Sequence, residues 1–335
     1  MGLAVSDIAL ARRFYEDTAC LEVLSGRTVC PDQPVQPVDS LVLKAPNGCL
    51  ELMQFEETVP IDGLAVIGPG ITHACFQAPA EVGLFEKFIQ GQAKSVSIGE
   101  PPIDLNGQGV RYAYARDPDG SMFEVEALDV PQFEGPIWLA HIALVTPDID
   151  QAVSFYQTLL GVAPYGRVNK VMGPRFDEVT GIEGVRIRAA WFNTGNMVLE
   201  FWQFIQPQTQ VLPVDRAFSD AGYNTFALEV GDLEAEIQRL AAVGVVQDAP
   251  MRLGQGMKEV FFKDPDGNVL SLIETNEAAV LRVADLKQID WLPSPARPVI
   301  KAPSLIGSPR ANRLPCRALP AWGNGRRLEG DGPLG

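Results

Sequence analysis

The sequence predicts an α+β fold built from four copies of one βαβββ module, in which a strand and a helix precede about three further strands. Three repeated patterns lead to this prediction: a helix start, an apolar strand that carries a glutamate, and a tight turn followed by a strand. Repeats of this length decide the architecture, because each copy is one supersecondary unit. The modules run over residues 1–58, 68–128, 137–206 and 220–276.

The first repeat pairs SDIALARRFYED, from Ser6, with PDIDQAVSFYQT, from Pro147. In each copy an aspartate is followed seven and eight residues later by Phe-Tyr: Asp7 with Phe14 and Tyr15, and Asp148 with Phe155 and Tyr156. An aspartate before an apolar helical period is an N-cap, because its carboxylate accepts hydrogen bonds from the free amides of the first turn. The Phe-Tyr pair is then expected on the face that packs on a sheet.

The strands and turns repeat as well. LELMQF at 50–55 matches LEFWQF at 199–204, and RDPDGSMFEVEAL at 116–128 matches KDPDGNVLSLIET at 263–275. In the DPDG turns, proline presets one backbone angle and glycine tolerates a left-handed one. Further helices are expected at 82–94 and 233–242, and PQFEGP at 131–136 links the two halves.

Composition limits the partners. The net charge of -15 argues against nucleic acid, because an acidic surface repels phosphates. Residues 293–335 differ: they hold seven Lys or Arg against two Asp or Glu, with eight prolines and six glycines, so a disordered basic tail is expected. The expected partner is a small-molecule substrate, with no nucleic acid and no membrane, for a monomer or homodimer.

The compartment is predicted from what the sequence lacks. It has no apolar run near the length of a membrane span and no basic-then-apolar start typical of a secretory signal. The five cysteines are scattered without a C-x-x-C pair, which favours reduced thiols over a disulfide framework or a thiolate zinc site. A cytoplasmic location is therefore expected.

The repeated motifs resemble those of the vicinal oxygen chelate (VOC) superfamily, which includes glyoxalase I, bleomycin-resistance proteins and extradiol dioxygenases, here as a tandem two-domain chain. The resemblance covers residues 1–276 and rests on the D-x6-FY helix, the glutamate strand, the histidine that opens modules two and three, and DPDG followed by a strand. It implies two glyoxalase-like, cup-shaped mixed sheets. It also implies an N-terminal domain at 1–130 and a C-terminal domain at 137–280, before the tail at 293–335.

The resemblance also implies two metal-ligand positions in each module. The first lies seven residues before the helix cap and is filled by His73, His141 and Thr225 in modules two, three and four, whereas in module one it falls before Met1. The second lies on the last strand: Glu51, Glu124, Glu200 and Ser271 in modules one to four. Modules two and three are complete, and they hold both histidines of the chain.

Strand alternation supports the two complete sets. Glu124 lies between Phe123 and Val125, and Glu200 lies between two large apolar residues as well. Since neighbouring side chains on a strand point to opposite faces, both glutamates are expected inside a cup. A carboxylate buried there needs a cation or a partner. Glu126, two residues farther along, is expected to be a solvated charge at the strand end.

Two pairings of the modules are compatible with these positions. Pairing one with two and three with four gives the sets Glu51/His73/Glu124 and His141/Glu200. Pairing one with four and two with three gathers His73, Glu124, His141 and Glu200 in one cup. We favour the second pairing, because it alone completes a set, and Ser271 and Thr225 would then line the incomplete cup.

The implied function is that of a metal-dependent lyase or isomerase of the glyoxalase I or epimerase kind. One divalent ion (Zn, Ni, Co, Mn or Fe(II)) would chelate vicinal oxygens of a small carbonyl substrate and stabilise an enediolate or enolate. Glu200 or Glu124 would act as general base. No nucleotide-binding loop is present, so no organic cofactor is predicted.

Two alternatives stay open from the sequence. The first is an extradiol-type, ring-cleaving dioxygenase that uses Fe(II), and the second is a metal-free small-molecule binding or resistance protein. The dioxygenase alternative is weakened because the C-terminal half, where that family usually keeps its ligands, has Thr225 and Ser271 at two of these positions. The insert at 168–183 is expected to be a plain loop or a lid.

Overall fold

Two curled mixed sheets form the protein, as seen in a computed structural model that describes residues 1–24, 37–58, 66–212, 216–248, 250–254 and 256–289. Five α-helices accompany the sheets within these ranges. The predicted α+β class with four strand-helix-strand modules is confirmed. The predicted tail at 293–335 lies outside the described residues.

The elements follow the four modules in chain order. Module one contains β1 (Gly2–Ala4), α1 (Ile8–Ala19), β2 (Glu22–Leu24), β3 (Asp39–Lys44) and β4 (Cys49–Gln54). Module two contains β5 (Gly70–Pro79), α2 (Leu84–Gln90), β6 (Lys94–Ser95), β7 (Ile103–Asp104), β8 (Val110–Arg116) and β9 (Met122–Leu128). Module three contains β10 (Trp138–Val145), α3 (Ile149–Leu160), β11 (Gly166–Val171), α4 (Pro174–Thr180), β12 (Arg186–Asn193) and β13 (Val198–Gln206). Module four contains β14 (Gly222–Glu229), α5 (Leu233–Ala241), β15 (Arg252–Gly254), β16 (Met257–Lys263) and β17 (Val269–Thr275).

Hydrogen bonds between strands pair module two with module three and module one with module four. This is the pairing that we favoured from the sequence, because it completes one set of metal ligands. The middle-module sheet, from modules two and three, has the order β11-β12-β13-β10-β5-β9-β8-β6, with β7 paired to β8. The end-module sheet, from modules one and four, has the order β15-β16-β17-β14-β1-β4-β3-β2. The first strands of the two modules pair antiparallel at each centre, and each first strand pairs parallel with the last strand of its module. Each sheet therefore draws on both halves of the chain, and the domain boundaries at 130 and 137 stay predictions.

The helices begin where the capping aspartates predict. Asp7 accepts a hydrogen bond from the Leu10 amide at 2.9 Å, and Asp148 and Asp232 cap α3 and α5 in the same way. Helix α2 is shorter than the predicted 82–94, because it ends before Gly91 and the chain then enters β6. Helix α5 ends at Ala241, within one residue of its predicted end.

The largest buried cluster of apolar side chains takes residues from all four modules, so the two sheets and their helices share one core. Phe123 and Leu199, which alternate with the predicted glutamates, belong to this cluster. A second apolar cluster contains Tyr114, Phe176 and Trp202, and it occupies the opposite, concave face of the middle-module sheet. The alternation of side chains along the strands therefore distinguishes the residues that face the core from those that face the cup.

Two tyrosine–aspartate hydrogen bonds connect the sheets. The Tyr15 hydroxyl on α1 donates to Asp117 Oδ2 at 2.8 Å, and the Tyr156 hydroxyl on α3 donates to Asp264 Oδ2 at 3.0 Å. Both aspartates begin DPDG turns and are buried. Tyr15 belongs to module one, in the end-module half, and Asp117 belongs to module two, in the middle-module half. In the second pair, Tyr156 belongs to the middle-module half and Asp264 to the end-module half. The two repeated motifs are thus the two halves of one repeated interaction.

One prediction about the cysteines is wrong. Cys20 is disulfide-bonded, whereas Cys49 and Cys75 are free thiols. An odd and scattered set of cysteines does not exclude a single bridge, because spacing does not reveal connectivity. A disulfide is not the state expected of a cytoplasmic cysteine. Among the described residues, no helix is both long and apolar enough to cross a membrane.

Removing the Tyr15 hydroxyl should show how much the Tyr15–Asp117 hydrogen bond contributes to the free energy of unfolding. Tyr15→Phe leaves a buried oxygen of Asp117 without its donor, so the free energy of unfolding should fall by about 1–3 kcal/mol. Urea unfolding of Tyr15→Phe, Asp117→Asn and the double variant forms a cycle that isolates the pair. Strictly additive losses in this cycle would contradict the interaction, and Tyr156→Phe should reproduce the loss in the second copy.

The same aspartate should make stability depend on pH. Burial raises the pKa of Asp117 to about 7, although hydrogen bonds from Tyr15 and two backbone amides oppose the rise. In the unfolded chain Asp117 loses its proton at about pH 4, whereas in the folded protein it keeps the proton up to about pH 7. Because the folded state binds more protons in this range, the stability contributed by Asp117 declines as pH rises from about 4 to 7. Wild type should lose up to about 1.4 kcal/mol per pH unit relative to Asp117→Asn over this range. Urea unfolding at several pH values measures this, and a pH-independent difference would refute it.

Candidate metal centre

The four predicted ligand residues lie on four consecutive strands at the centre of the middle-module sheet. Glu200 is on β13, His141 on β10, His73 on β5 and Glu124 on β9. All four are buried, with exposed fractions between 1% and 7%. One ligand atom from each lies within 4.8 Å of those of the other three. The structure thus brings together residues up to 127 positions apart in the chain.

Glu124 stands at the centre of this group. Its Oε2 lies 3.2 Å from His73 Nε2 and 3.0 Å from His141 Nε2. Glu200 Oε2 lies 3.1 Å from His141 Nε2. Ligand atoms that surround one ion at about 2.1 Å, at right angles to one another, are about 3 Å apart. The separations of these nitrogen and oxygen atoms therefore fit a shared cation.

Neighbouring side chains orient the ligands. The Thr72 hydroxyl donates to the Ala143 carbonyl oxygen at 3.3 Å and lies 3.0 Å from His73 Nδ1. With a cation at the centre, His73 would bind it through the Nε2 lone pair, and the Thr72 hydroxyl would accept from Nδ1–H and so orient the ring. Trp191 Nε1 donates to Glu200 Oε1 at 2.6 Å.

One buried carboxylate oxygen of the group accepts no hydrogen bond from the described residues. Glu200 Oε2 lies within ion-pair distance of His141, but it accepts no hydrogen bond from the described residues. A buried carboxylate oxygen without a partner is costly, unless a cation occupies the space beside it. This atom, together with a donor set of two imidazoles and two carboxylates, fits a divalent metal ion.

The electrostatics of the four residues favour positive charge. Burial by itself would raise the pKa of Glu124, but the hydrogen bonds with His141 and His73 overcome it and lower the pKa to about 2. Burial would likewise lower the pKa of His141, yet the charge of Glu200 and the contact with Glu124 raise it to about 10. The cup therefore attracts a proton or a metal cation to the same place.

Glu126 was placed wrongly by the sequence analysis. It is partly buried in the cup, where Gln77 Nε2 donates to its Oε2, and burial followed by the charge of Glu124 raises its pKa to about 7. With Cys75, Glu124 and His141 it forms a second group of possible ligand atoms within 4.8 Å of one another. Its position two residues from Glu124 gave the correct face, but the solvated strand end was the wrong location.

The end-module sheet places different chemistry at the matching positions. Glu51 on β4 pairs with Gly2, and Gly2 pairs in turn with Thr225 on β14. Thr225 pairs with Val269 on β17, and Ser271 lies two residues farther along that strand, on the same face. In the part of the chain that the structure describes, both groups of potential metal ligands lie in the middle-module cup. Thr225 and Ser271 thus line the incomplete cup, as predicted.

The insert at 168–183 contains a helix, so the expectation of a plain loop is wrong, and the lid stays a prediction. Helix α4 packs on β7 and β8 of module two, and Arg175 Nη1 donates to the Asp104 carbonyl oxygen at 2.5 Å. Gly181 ends the helix at φ 68°, where an added Cβ would lie 2.6 Å from the Val96 carbonyl oxygen. Phe176 on α4 contacts Trp202 with ring centroids 5.7 Å apart. The helix thus forms an apolar wall of the middle-module cup.

Comparison with known proteins agrees with this fold. The profile of the Glyoxalase/Bleomycin resistance protein/Dioxygenase superfamily matches residues 138–272. An ethylmalonyl-CoA/methylmalonyl-CoA epimerase of Cereibacter sphaeroides is 27% identical over 129 residues, which are 38% of this chain and 93% of the epimerase. Lactoylglutathione lyase GLX1 of Arabidopsis thaliana is 23% identical over 279 residues, which are 82% of this chain and 89% of the lyase.

A solved structure shows the same fold. Glyoxalase I from Zea mays superposes with a TM-score of 0.57 at 21% identity, covering 82% of this chain and 90% of the maize chain. The two curled sheets have the fold of glyoxalase I, and over residues 138–272 the chain is similar to the Glyoxalase/Bleomycin resistance protein/Dioxygenase superfamily. The resemblance to this superfamily that the sequence predicted is confirmed.

Thr72 offers a test of how the histidine is oriented. Thr72→Val keeps the shape of the side chain but removes the partner of His73 Nδ1, so the ring should lose its preference for the Nδ1–H tautomer. The long-range ¹H–¹⁵N NMR pattern of the imidazole reports the tautomer, and His141 serves as the internal reference. An unchanged His73 pattern in the variant would show that Thr72 does not set the tautomer.

Proposed function

We propose that this protein is a divalent-metal-dependent enzyme of the glyoxalase I or epimerase kind, a lyase or isomerase that acts on a small carbonyl substrate with vicinal oxygens. One observation carries the proposal: two imidazole Nε2 atoms and two carboxylates converge in a buried cup from four neighbouring strands. The two similar curated proteins are a lyase and an epimerase, which are the reaction classes that the proposal includes.

The proposed metal ligands are His73, Glu124, His141 and Glu200. This mixed nitrogen and oxygen set suits Zn, Ni, Co, Mn or Fe(II), and it does not choose among them. A divalent ion bound there would supply Lewis-acid chemistry at two vicinal oxygens of the substrate.

The two glutamates are proposed to have different roles. Glu124 Oε2 is hydrogen-bonded to both imidazoles, so this carboxylate is held in place. Glu200 accepts a hydrogen bond at Oε1, from Trp191, whereas its Oε2 lies 3.1 Å from His141 Nε2 and accepts no hydrogen bond from the described residues. We therefore assign to Glu200 the general base that moves a proton at the carbon next to the carbonyl, and to Glu124 the fixed ligand.

The cup contributes by excluding water. Tyr114, Phe176 and Trp202 form an apolar wall beside the four ligands, and each is at most 6% exposed. Charged groups interact more strongly where water is excluded, so a base in this cup needs little reorganisation to act. The wall therefore suits the abstraction of a weakly acidic carbon-bound proton.

A dioxygenase remains the second candidate, because His73, His141 and Glu124 also form a two-histidine, one-carboxylate set with contacts of 3.2 Å or less. Such sets bind Fe(II) in oxygenases. Oxygen consumption with catechols under Fe(II) loading tests this candidate, and solvent-deuterium incorporation into a carbonyl substrate under Ni(II) or Zn(II) tests the isomerase. The cytoplasmic location, the monomer or homodimer and the absence of nucleic-acid partners stay predictions.

Metal analysis tests the proposed centre directly. Purified wild-type protein, loaded and desalted, should hold one divalent ion per chain, whereas His73→Ala and His141→Ala should each lose it, because each removes a ligand from a buried set. Glu51→Gln is the matched control, since Glu51 occupies the corresponding position in the end-module cup and the variant should keep the ion. Full metal content in both histidine variants would show that the ion binds outside the proposed set, and no metal in wild type would favour a metal-free binding protein instead.

A further inference from the structure

The indole of Trp202 lies between the proposed metal centre and the α4 wall. Trp202 follows Glu200 by two residues on β13, so both side chains face the cup. Its ring centroid is 6.2 Å from that of His73 and 5.7 Å from that of Phe176, and the residue is 6% exposed.

The nitrogen of this indole has no hydrogen-bond acceptor among the described residues. Trp202 Nε1 is buried and makes no hydrogen bond within the described part of the chain. Trp191, on the neighbouring strand β12, differs, because its Nε1 donates to Glu200 Oε1 at 2.6 Å. Buried donors are almost always satisfied, and leaving one unpaired costs free energy. Two tryptophans thus face one cup: the Trp191 N–H is hydrogen-bonded, and the Trp202 N–H has no acceptor in the part of the chain that the structure describes.

Strand directions show on which side of the proposed metal centre the Trp202 indole lies. Strand β9 runs parallel to β5, β13 runs parallel to β10, and β5 and β10 are antiparallel, so β9 and β13 run in opposite directions. Glu126 lies two residues beyond Glu124 on β9, and Trp202 lies two residues beyond Glu200 on β13. These two residues therefore flank the centre on opposite sides, the carboxylate on one and the indole N–H on the other.

We propose that Trp202 orients the bound small molecule by donating its indole N–H to an oxygen of that molecule. This inference rests on the proposed function, because the molecule is the one held at the metal centre. An indole nitrogen only donates, so the recognised group must be an acceptor such as a carbonyl or carboxylate oxygen. Since Phe176 and Trp202 close this side of the cup, the part of the ligand that reaches the indole is compact. Ligand groups that donate hydrogen bonds point the other way, toward Glu126.

Oxalate is a suitable probe, because it has vicinal oxygens for a metal and further oxygens for a donor. Calorimetric titration of the Co(II)-loaded protein with oxalate should show binding about tenfold or more weaker in Trp202→Phe than in wild type, since a hydrogen bond to a charged group is lost. The variant should still hold Co(II). Trp202→His, which keeps a ring N–H, should recover part of the affinity. Trp191→Phe is the matched contrast, because it removes an indole N–H from Glu200 and should weaken Co(II) binding itself.

The outcomes separate the inference from the proposed function. Wild-type oxalate affinity in a Trp202→Phe variant that holds Co(II) overturns the inference and leaves the metal centre intact. Wild-type protein that binds no Co(II) overturns the proposed function and the inference with it. If Trp202→Phe does not fold, ¹⁵N spectra of Zn(II)-loaded wild type decide: the indole N–H with contacts to the Phe176 ring should shift downfield with oxalate, and an unmoved signal refutes the proposal.

Discussion

Charge balance inside one cup is the constraint on which the rest of this molecule depends. Glu124 and Glu200 are buried side by side, and a buried carboxylate is tolerated only with positive charge and hydrogen bonds around it. Two imidazoles and the Trp191 indole meet part of this requirement, while Glu200 Oε2 stays without a hydrogen bond among the described residues. The antiparallel pairing of β5 with β10 makes the arrangement possible, because it sets all four side chains on adjacent strands.

The two sheets have the same strand arrangement but different chemistry. In both, first strands pair at the centre and last strands flank them, yet the middle-module cup has a complete ligand set and the end-module cup has Glu51, Thr225 and Ser271 at the matching places. The buried Tyr15–Asp117 and Tyr156–Asp264 hydrogen bonds connect the sheets in both directions. The framework therefore occurs in both halves, whereas the complete ligand set lies in one cup, and the repeats in the sequence differ at the ligand positions accordingly.

The errors of the sequence analysis have local physical causes. Glu126 was assigned to the correct face but to solvent, because alternation gives the direction of a side chain and says nothing about how far the curled sheet encloses it. Helix α2 was drawn too long, since Gly91 stops it before the apolar pattern ends. The insert became helix α4 through contacts with β7 and β8, which belong to module two and lie far earlier in the chain. The disulfide of Cys20 left no spacing pattern to recognise.

The sequence by itself determined the modules, the helix starts at Asp7, Asp148 and Asp232, and the face on which each glutamate lies, because caps and strand alternation are local properties of the chain. It also singled out His73 and His141 through the repeat. Only the tertiary structure decided which modules share a sheet, how close the four ligand atoms come, and that Trp191 and Trp202 use their N–H groups differently. Those features depend on hydrogen bonds between strands far apart in the chain, and no local pattern encodes the distance between two such strands.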